Sequence, residues 1–341
     1  MSDIRAIILA AGKGRRMKSD LPKVLHKVCG KPVLNYILDI TRSLKTYVVV
    51  GHGAQEVRKA IGNGVEYVLQ EKLLGTADAV RRVQPHLKNF GGTVLVLCGD
   101  TPLLEKGTID KLLAKHKRAK AAATVLTALI ANPKGYGRIV RNQQGNILAI
   151  REHKDLKRGE EETREINVGM YCFQARELFA ALKKVPLNRA KKEFYLTDII
   201  ELLLRGQKQV ATVTATDETV AFGINTREDL ARAQDIIRRR ILKKLMEQGV
   251  TIVDPSTTYV EAGVVIGRDT VIYPCTVIHQ DVRIGKQCSI GPFARLRPGT
   301  RIADHTEIGN FTEVSRSRIG PYAAMKHFSF LGDATVGARV N

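Results

Sequence analysis

The second part of this 341-residue chain repeats with a period of six residues. Nine aliphatic residues stand six positions apart: Ile266, Ile272, Ile278, Ile284, Ile290, Leu296, Ile302, Ile308 and Val314. The register then slips by one residue, to Ile319, Met325 and Leu331. An α-helix, with about 3.6 residues per turn, and an ordinary strand, with a period of about two, do not produce this spacing. It is typical of a parallel β-helix, so we expect the nine strict hexads to build three coils.

The first two-thirds of the chain alternate short β-branched runs with helical stretches. The clearest runs are AIILA at 6–10, TYVVVGHG at 46–53, TVLVLCGD at 93–100, ATVLTALI at 123–130 and VGMYCF at 168–173. Such alternation is typical of a mostly parallel sheet covered by helices, in which functional residues lie at the carboxyl ends of the strands. The segments AAGKGRR and CGDTP directly follow two of these runs, so we expect the functional site there.

A helical arm connects the two patterns. Thr226 can cap a helix together with Asp229, and leucines and isoleucines then recur at helical spacing. We therefore divide the chain into a first domain at 1–226, a linker helix at 227–250 and a β-helix at 251–341.

The chain is strongly basic, with 55 Lys and Arg against 34 Asp and Glu and a net charge of +21. Such a charge fits nucleic acid, an anionic membrane or small anionic substrates as partners. The basic residues are spread in short runs, such as the one at 238–240, and no basic stripe is interleaved with aromatic residues. We interpret most of this charge as a solvated surface and expect no nucleic acid partner.

The sequence contains no apolar stretch near the roughly 20 residues of a membrane span, so we expect no membrane insertion. The first apolar run is flanked by charged residues and is interpreted as a strand rather than a signal peptide. The cysteines are scattered without a C-x-x-C pair, which argues against a disulfide framework or a zinc site. We expect reduced thiols in a cytoplasmic protein, at Cys29, Cys98, Cys172, Cys275 and Cys288.

The segment LAAGKGRRMKSDLPK at 9–23 combines a strand end, a glycine-rich loop and several cations. Gly12 and Gly14 let backbone N–H groups approach phosphate oxygens, and Arg15, Arg16 and Lys23 offset triphosphate charge. The segment lacks the GK[ST] of a Walker loop and the spacing of a dinucleotide fingerprint. From its residues alone, a phosphate-binding loop and a surface turn both stay open.

The order of motifs along the chain resembles a known enzyme family. LAAGKGRRM, LPKVLH and GKP look like the start of the nucleotidyltransferases that make nucleoside-diphosphate sugars. Later stretches occur in the order of the bacterial bifunctional N-acetylglucosamine-1-phosphate uridylyltransferase/glucosamine-1-phosphate N-acetyltransferase family: VLQEKLLGTADAV, LCGDTPLL, KGYGRIVR, REHKD, EINVGMY, EFYLTDII and GINTREDL. The resemblance implies an α/β fold, with a Rossmann-like nucleotidyltransferase domain followed by a helical arm and a left-handed parallel β-helix.

The resemblance implies that the first domain transfers a uridylyl group from UTP to N-acetylglucosamine 1-phosphate, with Mg²⁺, and releases pyrophosphate. It implies a nucleotide-binding set formed by Leu9, Ala10, Ala11, Gly12, Lys23, Gln70, Gly75, Thr76, Cys98, Gly99 and Asp100. The implied sugar-binding set is Gly137, Glu152, Asn167, Thr197 and Asn225. Cys98 stands where some relatives have Tyr, which alters packing near the base and removes no required charge.

Asp100 and Asn225 are the metal ligands that the resemblance implies. A carboxylate and an amide oxygen suit a Mg²⁺ that keeps several waters and bridges substrate phosphates. From the residues alone, a helix or turn cap at Asp100 and a turn residue at Asn225 are equally open. The sugar phosphate already carries a nucleophilic oxygen, so catalysis reduces to positioning and charge stabilisation, with Arg16 and Lys23 as catalytic candidates.

The β-helix resembles the half that transfers an acetyl group from acetyl-CoA to glucosamine 1-phosphate and assembles as a homotrimer. The resemblance implies His327 as general base and Arg297, Phe330 and Asn341 as substrate contacts. Ser315 replaces a phosphate-binding Lys, and Phe330 replaces a Tyr. The chain stops at Asn341 in mid-repeat, without the coils that bind acetyl-CoA in the family, so we expect an incomplete acetyltransferase half.

Three alternatives stay open. A sister nucleotidyltransferase, using glucose 1-phosphate with UTP or dTTP, would share the loop chemistry but not the combination of EINVG, EFYLTD and hexads. A non-enzymatic trimeric scaffold would have no need of intact Arg16, Lys23, Asp100 and Asn225. Nucleic-acid binding would require salt-dependent retention on DNA.

Overall fold

The computed structural model describes residues 3–189 and 191–341, which form two compact units. The first unit extends as far as His26 and then over Pro32–Asp229, and the second joins the short segment Lys27–Lys31 to Leu230–Asn341. The predicted α/β fold and the β-helix are both confirmed. That a segment near residue 30 packs with the second unit was not predicted.

Strands and helices alternate before the β-helix. The strands are β1 Ile4–Ala10, β2 Lys27–Val28, β3 Lys31–Pro32, β4 Lys45–Val50, β5 Glu66–Leu69, β6 Thr93–Cys98, β7 Ala123–Leu129, β8 Arg138–Arg141, β9 Ile147–Arg151, β10 Glu165–Gln174 and β11 Val210–Ala215. The helices are α1 Val33–Ile40, α2 Ala54–Ile61, α3 Thr76–Val83, α4 Lys106–Ala119, α5 Ala175–Leu182, α6 Asp198–Arg205 and α7 Arg227–Glu247.

The central sheet has the strand order β11-β7-β10-β6-β1-β4-β5. Its pairs are parallel except at β10, which runs antiparallel to β6 and β7, and the hairpin of β8 and β9 is attached through β10. Leu9 pairs with Cys98, so the carboxyl ends of β1 and β6 are neighbours. The loops that follow these two strands therefore meet at one edge of the sheet.

Both faces of this sheet are buried. Successive side chains of a strand point to opposite faces, so Ile7 packs in a core with α3, α5 and α6, and Ile8 packs in another with α1, α2 and α4. Strands buried on both faces consist of continuous apolar runs, which explains IRAIILA in β1 and TVLVLC in β6.

The β-helix consists of three parallel sheets of five strands each. Ile272 pairs with Ile290 and Ile290 with Ile308, three hexads apart, whereas Ile302 pairs with Ile319, one residue short. The predicted register and its slip are thus confirmed, but the β-helix is longer than three coils. Its strands are β12 Thr251–Ile252, β13 Tyr259–Val260, β14 Val265–Ile266, β15 Val271–Ile272, β16 Val277–Ile278, β17 Arg283–Ile284, β18 Ser289–Ile290, β19 Arg295–Leu296, β20 Arg301–Ile302, β21 Glu307–Asn310, β22 Glu313–Ser315, β23 Arg318–Ile319, β24 Ala324–His327, β25 Phe330–Gly332 and β26 Thr335–Val336.

A second inward position, two residues before the aliphatic one, was not predicted. It is occupied by small side chains, among them six buried threonines: Thr258, Thr270, Thr276, Thr300, Thr306 and Thr312. The hydroxyl of Thr270 donates to the Gly285 carbonyl at 2.8 Å, and that of Thr306 donates to the Gly320 carbonyl at 3.0 Å. A small residue fits the narrow corner, and its hydroxyl finds a partner in the backbone.

Arg238 corrects the interpretation of the run at 238–240 as a solvated surface. This residue of α7 is only 6% exposed. Its Nη1 donates to the carbonyl oxygens of Ser256 and Thr258, both at 3.1 Å, and its Nη2 donates to Asp235 Oδ1 at 2.8 Å. Because a guanidinium has several donors, it can satisfy carbonyls that converge in a tight loop.

Candidate active site

The glycine-rich loop leaves β1 at Ala10 and folds back on Lys23. Gly14 has a φ of +59°, and a Cβ there would lie 2.8 Å from the Cβ of Lys23, so glycine lets the two segments approach. The N–H of Met17 donates to the Gly14 carbonyl at 2.8 Å, and the Met17 side chain is buried. A Cβ at Gly12 would meet no atom within 4 Å. The loop is therefore anchored behind Gly14 and open at Gly12.

Lys23 joins the two candidate metal ligands. Its ammonium contacts Asp100 Oδ2 and donates to Asn225 Oδ1 at 3.3 Å. The side chains of Lys23 and Asp100 are only 14% and 24% exposed. The N–H of Ile224 donates to the Asp100 carbonyl at 2.9 Å, which ties the two loops together. Oxygen atoms of two residues that are far apart in the sequence thus converge on one cation.

The cap of α7 sets the direction of the Asn225 side chain. The N–H groups of Asn225 and Thr226 both donate to Asp229 Oδ2 at 2.9 Å, and the N–H of Asp229 donates to Thr226 Oγ1 at 3.1 Å. The cap predicted from Thr226 is therefore confirmed. Asn225 Nδ2 donates to the Gly223 carbonyl at 3.3 Å, which leaves Oδ1 to face the Lys23 ammonium.

A cleft of ≈ 700 Å³ opens over these strand ends. Eleven of the predicted residues line it: Leu9, Ala10, Ala11, Gly12, Lys23, Gln70, Gly75, Thr76, Cys98, Asp100 and Glu152. Arg15, expected from the sequence to offset triphosphate charge, also lines the cleft, as do residues that were not predicted, among them Lys13, Glu193 and Tyr195. Lys13 belongs to the glycine-rich segment, and Glu193 and Tyr195 belong to EFYLTDII, so the quoted motifs contain these residues although none of the three was named individually.

Several predicted residues do not line this cleft. Arg16 is exposed on the same turn as the lining residue Arg15. Gly99 lies behind the cleft, where its N–H donates to the Leu9 carbonyl at 2.9 Å and a Cβ would lie 3.0 Å from that oxygen. Asn225 is joined to the cleft through Lys23. The catalytic role of Arg16 stays a prediction.

The predicted sugar-binding residues form two hydrogen-bonded groups. Thr197 Oγ1 donates to Glu152 Oε1 at 3.0 Å. Asn167 Nδ2 donates to the Tyr171 hydroxyl at 2.7 Å, and the N–H of Asn167 donates to the Gly137 carbonyl at 2.9 Å. Burial raises the pKa of Glu152. Glu152 is the member that reaches the cleft, with acceptor oxygens suited to sugar hydroxyls.

A group of carboxylates surrounds Glu152. Burial, followed by the charges of Glu152, Glu201 and Asp155, raises the pKa of Asp198 to about 6. Asp198 is therefore partly protonated near neutral pH, unlike an ordinary aspartate.

Neutral groups also line the cleft. Gln70 is 3% exposed, and its Nε2 donates to the Gly75 carbonyl at 3.0 Å and to Asp78 Oδ2 at 2.9 Å. Cys98 Sγ lies 3.3 Å from the Gly169 carbonyl. Burial raises the pKa of the Cys98 thiol to about 12, so it stays protonated and is a poor nucleophile.

The β-helix candidates lie on its surface. Arg297 Nη1 donates to Glu313 Oε1 at 3.0 Å, and Glu313 pairs with Phe330 on the adjacent strand, so these residues meet on one face. Phe330 is 69% exposed. His327 is exposed on β24, which belongs to another of the three sheets, and Asn341 is also exposed.

Within residues 3–189 and 191–341, no group of three or more His, Cys, Asp and Glu side chains could hold a metal ion. A metal at Asp100 and Asn225 would therefore need oxygens from substrate or water. None of the described helices is both long enough and apolar enough to span a bilayer.

Comparison with known proteins gives two family matches and several relatives. A family model described as a MobA-like NTP transferase domain matches residues 6–242, and one of bacterial transferase hexapeptide repeats matches residues 281–316. The chain is 52% identical over 276 residues to the bifunctional protein GlmU of Geobacillus thermodenitrificans, covering 80% of this chain and 60% of the relative. Identity is 48% to the GlmU of Pelotomaculum thermopropionicum, covering 80% and 61%, and 45% to that of Bacillus subtilis, covering 82% and 62%. The chain thus spans about 60% of the length of the relatives it matches.

Proposed function

Because this chain belongs to the family of MobA-like NTP transferase domains, we propose that it transfers a uridylyl group from UTP to N-acetylglucosamine 1-phosphate, giving UDP-N-acetylglucosamine and pyrophosphate. One observation carries the proposal. A single cleft gathers the glycine-rich loop at 9–12, the neutral residues Gln70 and Gly75, the carboxylate of Asp100 and the sugar-end residue Glu152. Its lining therefore offers partners for a base, a triphosphate and a sugar in one continuous space.

The phosphates of UTP would lie against the glycine-rich loop. The open side of Gly12 leaves room for phosphate oxygens close to the backbone. Lys13, Arg15 and Lys23 also line the cleft and supply positive charge, and Arg16 directly follows Arg15 in the same turn.

Asp100 and Asn225 fit a bound Mg²⁺. Both supply hard oxygen atoms, and both contact one cation, the Lys23 ammonium, so they can be shared by a single positive ion. A Mg²⁺ held by Asp100 and Asn225 would supply positive charge that offsets the negative charge developing on the phosphates.

The reaction needs no side-chain nucleophile. A phosphate oxygen of N-acetylglucosamine 1-phosphate attacks the α-phosphorus of UTP in line, the bond to the β-phosphate oxygen breaks, and pyrophosphate leaves with the electron pair. The chain holds the two substrates in this geometry, and Lys23 and Arg16 stabilise charge on the transferring and leaving phosphates. Glu152 accepts hydrogen bonds from the sugar hydroxyls, with its orientation held by Thr197.

For the β-helix we propose a role in an acetyl-CoA-dependent acetylation of glucosamine 1-phosphate and in a homotrimer, supported by the match to bacterial transferase hexapeptide repeats and by the family resemblance of its residues. His327 would act as general base, with Arg297, Phe330 and Asn341 in contact with substrate. Thiol release from acetyl-CoA with glucosamine 1-phosphate tests the acetylation, and light scattering tests the trimer. The five free cysteines fit the reducing cytoplasm that we propose as the compartment.

The uridylyl transfer is tested by pyrophosphate release from UTP and N-acetylglucosamine 1-phosphate with Mg²⁺. Parallel reactions contain glucose 1-phosphate, dTTP or EDTA. Fast release that requires the metal and the first substrate pair supports the proposal. Faster release with glucose 1-phosphate or with dTTP would support the same mechanism with a different substrate. Release in the presence of EDTA would contradict the proposed role of the metal.

A further inference from the structure

Asp78 lies in the first turn of α3 and is only 3% exposed. Its Oδ2 accepts a hydrogen bond from Gln70 Nε2 at 2.9 Å, and its Oδ1 lies 3.2 Å from Nη2 of Arg82. Gln70 is equally buried, and its Nε2 donates a second hydrogen bond to the Gly75 carbonyl at 3.0 Å. A carboxylate this deeply buried is rare unless it is paired. Here one of its two oxygens accepts its hydrogen bond from the Gln70 amide.

These contacts fix the direction in which the Gln70 amide points. A carboxylate and a carbonyl oxygen are both acceptors, so the group between them must be the NH₂ of the amide. The reversed amide would set Oε1 against two oxygens, one of them charged, and would leave both without their donor. Oε1 is therefore turned away from Asp78, and Gln70 lines the cleft. Among the described residues, none donates a hydrogen bond to this oxygen.

An acceptor held in this place can distinguish pyrimidine bases. Uracil carries a hydrogen on N3 and can donate it to Oε1, whereas N3 of cytosine is itself an acceptor and would face Oε1 without a hydrogen between them. A freely turning amide would serve either base, because it could present Nε2 to cytosine instead. Selectivity therefore depends on what prevents the amide from turning.

We propose that Asp78 is a positioning residue for base selectivity, which holds Gln70 so that the cleft accepts a pyrimidine with an N3 hydrogen and rejects cytosine. The inference rests on the proposed function, since it takes UTP as the nucleotide. Thymine carries the same N3 hydrogen, so Asp78 separates uracil and thymine from cytosine and does not separate them from each other.

A merely structural role is the alternative, because an acidic residue in the first turn of a helix stabilises that helix. Glu56 supplies a matched control, since it is an exposed acidic residue in the first turn of α2. Loss of a helix-stabilising charge should lower stability in both variants, but only the change at Asp78 should alter the choice of base.

The test measures kcat/KM for UTP and for CTP with N-acetylglucosamine 1-phosphate, together with Kd for both nucleotides by calorimetry without the sugar phosphate. For Asp78→Leu, which keeps the branched shape of the side chain and removes both acceptors, we expect the preference for UTP over CTP to fall by about tenfold or more. Glu56→Gln should leave the preference unchanged, and Asp78→Asn, which keeps an acceptor oxygen, should keep most of it. If Asp78→Leu does not fold, Asp78→Ser replaces it, because a hydroxyl accepts or donates and imposes no direction on the amide.

A folded Asp78→Leu or Asp78→Ser variant with the full preference for UTP would overturn the inference. So would a further fall on adding the Asp78 change to Gln70→Leu, because the effect must pass through Gln70. Wild-type protein that binds UTP in preference to CTP but releases no pyrophosphate would overturn the proposed function instead, and the ratio of Kd values would still decide the role of Asp78.

Discussion

In the first unit, side chains far apart in sequence meet in one cleft, whereas in the β-helix each side chain lies beside residues of the next coil. Lys23 reaches Asn225 across 202 positions, and Arg297 reaches Glu313 across only 16. The cleft therefore requires the whole sheet to be in place before any part of it exists. The β-helix requires only that adjacent coils stack, so its stability is close to a sum over neighbours.

The two units also differ in the burial of their charged groups. The Lys23 and Asp100 side chains are only 14% and 24% exposed, whereas Arg297 is 42% exposed and His327 lies on the surface. Charges interact more strongly where water is excluded. A change of charge should therefore affect activity most in the first unit, whereas a change of volume inside the β-helix should affect stability rather than pyrophosphate release.

The largest effect should follow from neutralising Asp100. Asp100→Asn keeps the shape of the side chain but removes the charge that pairs with Lys23, so we expect kcat for pyrophosphate release to fall by about 10³-fold. The melting temperature should also fall, because the largely buried Lys23 ammonium loses its charged partner. Asp110→Asn, on the exposed surface of α4, is the control and should leave kcat intact. If kcat falls by less than tenfold in Asp100→Asn, this carboxylate does not take part in the chemical step.

The β-helix should respond to lost volume. Ile290 is completely buried in its core, so Ile290→Ala should lower the free energy of unfolding by about 2–4 kcal/mol, measured with urea. Val265 is 51% exposed in the same β-helix, and Val265→Ala should cost about 0.5 kcal/mol or less. Equal costs for the two substitutions would contradict the inward stacking of the hexads. Loss of pyrophosphate release in a folded Ile290→Ala variant would contradict the prediction that the β-helix core affects stability and not this activity.

Substitutions of the adjacent residues Arg15 and Arg16 test which of the two arginines acts in catalysis. For Arg16→Gln we expect kcat to fall by about 10²-fold, because the charge on the transferring phosphate loses its partner. Arg15→Gln should cost less than about tenfold and act mainly on KM for UTP, since Arg15 lines the cleft as one cation among several. The reverse order of kcat losses would move the catalytic role from Arg16 to Arg15.

The smallest effect should be the pH dependence that Asp198 gives to the first unit. Its pKa is raised from 3.8 to about 6, so the folded state binds a proton more tightly than the unfolded state. The stabilisation of the folded state by this tighter proton binding is full below about pH 4 and is lost as the pH rises through 6. Asp198→Asn should therefore stabilise the protein at about pH 7.5 by about 1 kcal/mol after solvent screening, and less at about pH 5. Thermal unfolding at both pH values measures this, and an equal gain at both would contradict the shifted pKa.

Much of the fold could be predicted because its patterns are periodic or continuous. Only the aliphatic position of each hexad points inward with a large side chain, so Ile272 to Val314 expose their period directly in the sequence. The inward threonines stayed hidden, because threonine is equally common on an exposed strand. Arg238 was misjudged, since a run of like charges does not record which of them faces a set of carbonyls.

The candidate site could be predicted where it belongs to a strand end. Asp100 and the glycine-rich loop follow buried strands, and strand order alone brings them together. The contact between Lys23 and Asn225 could not be predicted from spacing, because it depends on how two loops close over the sheet edge. Asp78 was also missed, since an acidic residue in a first helical turn is expected at the surface until the position of Gln70 is known.

The stacking of the β-helix gives its surface a fixed unit of length. Ile272, Ile290 and Ile308 occupy equivalent places in successive coils, and adjacent coils lie about 4.8 Å apart. Duplication or deletion of one whole coil would keep every inward residue in register while moving everything beyond it by one step along the axis. Evolution and protein engineering can therefore adjust the distance between groups on this surface in discrete increments, without redesigning the interior.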